Sequence, residues 1–87
     1  MSITVEVTYD MSKALGTNRF EVEGAQSVQD VLRLTRDKFG QNAEEFEKLT
    51  RVASIAVNGV LVSYRRGLRS PVADGDTVTF LKPAAGG

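Results

Sequence analysis

The chain contains no cysteine and no histidine. Those absences remove the thiolate and imidazole ligands of zinc, iron–sulfur and copper sites, the thiol nucleophile and the commonest general base. Electron transfer through an iron–sulfur cluster held by four cysteines is excluded with them. An excess of charge of one sign is missing too, since eleven Lys and Arg balance eleven Asp and Glu. No global field therefore draws in nucleic acid or an anionic membrane, and neither is an expected partner. Residues 1–50 hold six basic and nine acidic side chains against five and two in residues 51–87, but a sheet interleaves such halves and the asymmetry decides little. No apolar run approaches the roughly 20 residues that span a bilayer. Met1-Ser2 leads straight into alternating residues, without the basic segment and apolar block of a signal peptide. A cytoplasmic protein is the expectation.

What is present fits one domain, with room for a modest core but not for an enclosed cleft plus a substrate domain. Ile3, Val5 and Val7 alternate with Thr4, Glu6 and Thr8, the period of a strand with one face buried. Phe20 and Val22 against Glu21 and Glu23 repeat it, with a connection through Asp10 to Gly16 in which Met11 to Leu15 has room for one helical turn. Ser27 and Asp30 have the spacing of an acidic capping box. From there Val28, Val31, Leu32, Thr35 and Phe39 recur at three and four residues, and Gly40 supplies a stop. Asn42 and Glu45 repeat the start signal before Phe46 and Leu49, predicting a short second helix.

Asn58-Gly59 between Ile55-Val57 and Val60-Val62 predicts a two-residue hairpin. In that register Val57 faces Val60 and Ile55 faces Val62 on one side, and Leu61 lies opposite Ala56 on the other, exposed. Tyr64 to Val72 reads as irregular, anchored by Leu68 or Val72. Its Arg65, Arg66 and Arg69 read first as a solvated loop and second as a contact for an acidic partner or a phosphate. Asp74-Gly75-Asp76 is a turn, and Val78 and Phe80 share one face of a last strand that leaves Leu81 on the opposite face beside Leu61. Pro83 cannot donate to a ladder, so pairing ends about there.

Strand, strand, helix, strand, strand, strand, with the first and last strands adjacent and parallel in the middle, is the β-grasp architecture. The expected fold class is α+β, a mixed five-stranded sheet packed on one main helix. The expected division is a domain over residues 1–81 and an extended, flexible tail over residues 82–87. The tail, Lys82-Pro83-Ala84-Ala85-Gly86-Gly87, has no side chain beyond Ala85, so its backbone fits a channel too narrow for a Cβ. A frayed end or an engineered scar is the bland alternative.

The run Val57-Asn58-Gly59 with Leu61-Val62, then Asp74-Gly75-Asp76, Val78, Phe80, Pro83 and Gly86-Gly87, resembles the MoaD/ThiS-type ubiquitin-like sulfur carriers. Leu15-Gly16 and the length of the middle look most like the small subunit of molybdopterin synthase. At the exit Leu81-Lys82-Pro83 stands where that subunit has an aromatic and two prolines. The resemblance implies a carrier and cosubstrate rather than an enzyme. It implies that an adenylating partner of the ubiquitin-activating (E1) type, using ATP and magnesium that this chain does not itself bind, converts the Gly87 carboxylate into an acyl adenylate. Sulfur then replaces AMP, giving a thiocarboxylate on Gly87 that is presented inside a sulfur-acceptor enzyme such as a molybdopterin synthase large subunit.

Each tail residue then has a physical task. Gly87 carries the sulfur, Gly86 permits close approach, Ala84 and Ala85 keep the insert slim, and Pro83 stiffens the exit beside Lys82. The six residues Lys82 to Gly87 reach about 20 Å when extended. Leu61 and Leu81 match apolar sheet-face positions of the family and are the candidate partner interface, with Thr8 standing where some relatives have an aromatic. The acceptor inferred from the layout is a molybdopterin precursor; the alternatives are cysteine or thiamine biosynthesis, or conjugation through Gly87 as a protein modifier. No metal site is expected.

Overall fold

The computed structural model describes residues 2–83. The first alternating run forms strand β1 (Ser2–Glu6), with Ile3 and Val5 fully buried. It continues into a short helix α1 (Tyr9–Leu15), then strand β2 (Arg19–Glu23) and the main helix α2 (Val28–Phe39). A 3-10 turn (Gly40–Asn42) leads to helix α3 (Ala43–Thr50), and strands β3 (Ser54–Val57), β4 (Val60–Leu61) and β5 (Thr77–Leu81) complete the fold. The sheet order is β2-β1-β5-β3-β4, with β1 and β5 parallel and the other neighbours antiparallel. The last strand thus lies at the centre, as the β-grasp reading requires. Among the described residues no helix is long and apolar enough to cross a membrane.

One face of the sheet presents Ile3, Val5, Val22, Ile55, Val57, Val78 and Phe80 to the helices. Against it pack Val28 and Val31 of α2, Met11 and Leu15 of α1, and Phe46 of α3. The Ser27 hydroxyl accepts the Asp30 N–H at 3.2 Å and caps α2. The reciprocal bond differs from a strict capping box: the Asp30 carboxylate accepts from Gln26, one residue earlier, at 2.9 Å. That bond, with Arg33 close by, holds the Asp30 carboxyl below its ordinary range. Gly40 ends the helix at φ 59°.

Three local expectations need correction. The turn read at Met11 to Leu15 is a seven-residue helix, capped by the Thr8 hydroxyl accepting from Met11 N–H at 3.2 Å. Asn42 does not cap α3: its own backbone is already helical, and no side-chain bond forms, because α3 grows directly out of the preceding 3-10 turn. The hairpin has the expected register, Ala56 opposite Leu61 and Val57 opposite Val60. Strand β4 is only two residues long, however, so Val62 leaves the ladder for a 3-10 turn (Val62–Tyr64) while staying buried. Val60 at the sheet edge is 48% exposed, and Leu61, expected in solvent, is half-buried.

Asn58 and Gly59 take φ values of 50° and 85°, the left-handed pair that lets a two-residue turn match the twist of its strands. Asn58 also ties the hairpin to the turn before β5. Its Nδ2 donates to Asp76 at 2.9 Å, and its Oδ1 accepts the Thr77 N–H at 2.9 Å. Asp76 accepts the Ala73 N–H at 2.8 Å with its other oxygen. The Asn58 bond first, the Ala73 bond next and the charge of Arg65 hold the Asp76 carboxyl below its ordinary 3.8. A depressed folded-state value adds stability that is complete above the unfolded value and is lost as pH falls through the folded one. Thermal melts should therefore show stability dropping below about pH 4, with a smaller drop in Asp76→Asn, whose melting temperature at pH 7 should be lower than wild type. Equal pH slopes for the two chains would remove Asp76 from the account.

The stretch after the hairpin is irregular but pinned. Of the two expected anchors Val72 is buried and Leu68 is exposed. A third, Ser70, is fully buried: its hydroxyl accepts the Arg66 N–H, and its carbonyl accepts the first N–H of α2, from Val28, at 3.0 Å. Val72 N–H donates to the Gln26 carbonyl at 3.2 Å.

Candidate functional site

The sheet face away from the helices divides into a polar and an apolar half. Across one row Arg19, Glu6, Thr79, Ala56 and Leu61 follow in strand order from β2 to β4. Arg19 pairs with Glu6 at 3.4 Å, and Thr79 Oγ1 donates to the same carboxylate at 3.3 Å, which spends the polar groups of the β2–β1–β5 side on one another. Beyond Thr79 the row becomes apolar. Ala56 is buried between its neighbours, and Leu61 covers its flank.

The next row outward pairs Leu81 with Ser54. Leu81 is 41% exposed, and because Ser54 and Ala56 are small, nothing tall separates it from Leu61. The alternation that buries Val78 and Phe80 is what turns Leu81 outward. Leu61, Ser54, Ala53 and Arg51 also line an open groove of about 440 Å³ where β3 and β4 meet the end of α3.

Strand β5 ends at Leu81, and Lys82 and Pro83 follow it outside the ladder with both side chains exposed. Ala84, Ala85, Gly86 and Gly87 lie outside the described residues. Of the expected interface residues, Leu61 and Leu81 lie on two strands separated by β3, and Lys82 and Pro83 follow Leu81 directly. Thr8 follows β1 by two residues, and because β1 and β5 run parallel it lies towards the end of the sheet at which β5 finishes. Its hydroxyl is occupied in capping α1.

Two further side chains stand out at this end and are not singled out by any sequence pattern. Tyr9, the first residue of α1, is 75% exposed, and Val52, just beyond α3, is 61% exposed. Tyr9 lies off the Met11 and Leu15 side of α1, and Val52 lies past the last residue of α3, so neither belongs to an apolar period.

Among the described residues there is no cluster of acidic side chains suited to a metal ion. The two carboxylates with lowered pKa, Asp30 and Asp76, serve a helix cap and a turn. The described residues therefore present the exit of strand β5, Lys82 and Pro83, next to exposed Leu81.

A mixed five-stranded sheet wrapped on a main helix, with its first and last strands parallel at the centre, is the ubiquitin-like β-grasp fold. The ThiS family model matches residues 8–87, and this chain belongs to the ThiS family. Comparison with curated protein sequences gives no match. Among solved structures the chain is similar to that of the BexX/CysO complex from Amycolatopsis orientalis, at 25% identity and a TM-score of 0.81, covering 98% of this chain and 99% of that one. It is similar to SAMP1 from Haloferax volcanii at 18% identity and a TM-score of 0.79, with full coverage of both. It is also similar to a chain of the complex of subunits 1 and 2 of the molybdopterin-converting factor from Helicobacter pylori, at 22% identity and a TM-score of 0.62, again with full coverage.

Proposed function

We propose that this protein is a sulfur carrier whose reactive group is the carboxylate of Gly87. An E1-like adenylating enzyme supplies ATP and magnesium. The carboxylate attacks the α-phosphorus of ATP, pyrophosphate leaves, and the acyl adenylate carries AMP as a good leaving group. A persulfide sulfur then displaces AMP, and a thiol cleaves the resulting S–S bond to leave a thiocarboxylate on Gly87. That sulfur is the nucleophile delivered to an acceptor enzyme. In this reading the domain's residues bind and orient, and the chemistry is the partners'.

The observation that carries the reading is the exit of strand β5. Central strand β5 turns Leu81 onto an apolar face with Leu61 and then releases Lys82 and Pro83 beyond the sheet. The family match running through residue 87 supports treating Gly86 and Gly87 as part of the same device. For the acceptor, a molybdopterin synthase large subunit is the proposed partner, supported by the likeness to the molybdopterin-converting factor of Helicobacter pylori. A second reading, conjugation to lysines of other proteins, is supported by the likeness to the small archaeal modifier protein of Methanosarcina acetivorans, at 24% identity and a TM-score of 0.77.

Intact-mass spectrometry tests the first reading. After incubation with ATP, magnesium, a cognate adenylating enzyme and a sulfur donor, the expected product gains the difference between one sulfur and one oxygen, mapped to Gly87. An unchanged mass with partners that modify their own carrier would overturn it. Isopeptide-linked Gly87 on cellular lysines, with no thiocarboxylate formed, would establish the second reading instead.

A further inference from the structure

We propose that the loop from Tyr64 to Arg69 is a separate interaction surface, on which Arg65, Arg66 and Arg69 bind the carboxylates of an acidic peptide segment carried by a partner protein. This surface does not depend on the carrier reading above and adds a contact that leaves the exit of β5 uncovered.

The loop has a fixed backbone although most of its side chains face solvent. After the 3-10 turn Val62–Tyr64 comes a second one (Gly67–Arg69). Each arginine N–H is bonded: Arg65 donates to the Val62 carbonyl at 2.9 Å, Arg66 to the Ser70 hydroxyl at 3.2 Å and Arg69 to the Arg66 carbonyl at 3.1 Å. Buried Val62 and Ser70 hold the stretch at its two ends. A backbone already ordered loses less freedom when a ligand binds to it.

The charges of the three arginines are not answered within the domain. Among the described residues Arg19, Arg33 and Arg36 each reach a carboxylate, whereas Arg65, Arg66 and Arg69 are exposed and pair with none. The carboxylates that follow in the chain are engaged elsewhere. Asp74 accepts the Ser2 N–H at 2.6 Å, and Asp76 bonds Asn58 and Ala73. Three of the five basic residues in 51–87 lie on this loop, so the charge asymmetry between the halves of the chain is concentrated here.

Geometry joins the three into one patch. Arg65 and Arg66 line an open hollow of about 430 Å³ with Pro71. Arg66 and Arg69 are three residues apart across a 3-10 turn, a spacing that sets side chains on the same side. Planar guanidinium groups take carboxylates through paired hydrogen bonds, which an ammonium cannot do.

The flanking side chains select a peptide over a bare anion. Tyr64 is 82% exposed and Leu68 is 45% exposed, and Val62 and Val72, not these two, anchor the loop in the core. A phosphate ion gains nothing from them, whereas arginine and tyrosine are enriched where proteins meet. A nucleic acid fits less well, because so few cations release few counterions and the chain as a whole carries no net charge. The Arg65 charge acts on Asp76, just before β5, while Lys82 leaves the far end of that strand. The length of β5, about 15 Å, lies between them.

The test is an NMR titration of the isotope-labelled full chain with a short synthetic peptide of glutamates interrupted by leucines. Its glutamine analogue, inorganic phosphate and a short DNA single strand serve as parallel ligands. Amide shifts confined to the loop should saturate with Kd below about 1 mM at low salt. Binding should weaken at least about tenfold in the triple variant Arg65→Ala, Arg66→Ala, Arg69→Ala, and the melting temperature should hold because all three side chains are exposed. Replacing the three by lysine keeps the charge and loses the paired bonds, so that variant should fall in between. Tyr64→Ser should weaken binding about threefold and leave its salt dependence unchanged. No saturable shift, or equal binding of the glutamine analogue, overturns the proposal. Phosphate that saturates the same amides as tightly as the peptide reduces the patch to an anion site and overturns it too, and tighter binding of the DNA strand reassigns the loop to nucleic acid. None of these outcomes bears on thiocarboxylate formation at Gly87, so the carrier reading stands or falls separately.

Discussion

Deleting Gly86 and Gly87 should abolish adenylation and thiocarboxylate formation while leaving the melting temperature unchanged. The stability half of this expectation follows from the core. Its last member is Phe80, and β5 pairs with β1 and β3 no further than Leu81. The chemical half follows from the reaction. The shortened chain ends at Ala85, which carries a carboxylate of the same intrinsic reactivity, but about 7 Å short of its former reach. Intact mass and pyrophosphate exchange read the loss, and a melt reads the fold. Gly86→Val sharpens the comparison, because it keeps both length and terminus and adds only bulk. A backbone held slightly out of line costs about a hundredfold in rate, and a Val that retains full adenylation would show that the channel admits a branched Cβ. A deletion variant that is still thiocarboxylated would sink the functional reading.

Phe46→Ala should cost about 3–5 kcal/mol of stability. Phe46 is buried at the middle of α3 and meets the edge of Phe80 with ring centroids 5.3 Å apart and planes at 76°. Removing it opens a cavity between α3 and the central strand and forfeits the aromatic pair. At the usual 0.05–0.15 kcal/mol per residue, a domain of this length has about 4–13 kcal/mol in total, so the variant should be partly unfolded at 37 °C. Urea denaturation checks it, with Phe46→Leu as the milder partner. A loss below about 1 kcal/mol would mean that α3 is not fastened to the sheet through this ring. The contact also matters for the site, since Phe80 immediately precedes Leu81.

The features legible in the sequence were those written in short-range chemistry. Alternation at Ile3-Val5, Phe20-Val22 and Val78-Phe80 placed three strands and assigned their faces, and Ser27 with Gly40 bracketed the main helix. Asn58-Gly59 set the hairpin register. What was misread depended on neighbours distant in the chain. Asn42 has the right side chain to cap α3, but the 3-10 turn before it leaves no extended residue to act as a cap. Val62 alternates correctly with Val60, yet the loop stitched to α2 by Ser70 and Val72 draws it out of the ladder. Leu61 lies on the side of the hairpin that the register predicts, with less exposure than an outward-facing edge position implies. In the candidate site Leu61 and Leu81 were legible because each sits inside a strand pattern. The exposure of Tyr9 and Val52 was not, because no local pattern encodes it.

The parallel pairing at the centre has one more consequence, which concerns time rather than space. Glu6 and Thr79, bonded across β1 and β5, are 73 residues apart in sequence. Closing so long a loop places this domain among the slower small folders. It also puts β5 where opening of the sheet from either edge arrives last. Backbone amides of β1 and β5 should exchange with solvent only when the whole domain unfolds, whereas those of two-residue β4 exchange through local fraying. The base of the tail is thus fixed in the slowest-opening part of the molecule. A partner that pulls on the tail meets the resistance of the entire fold.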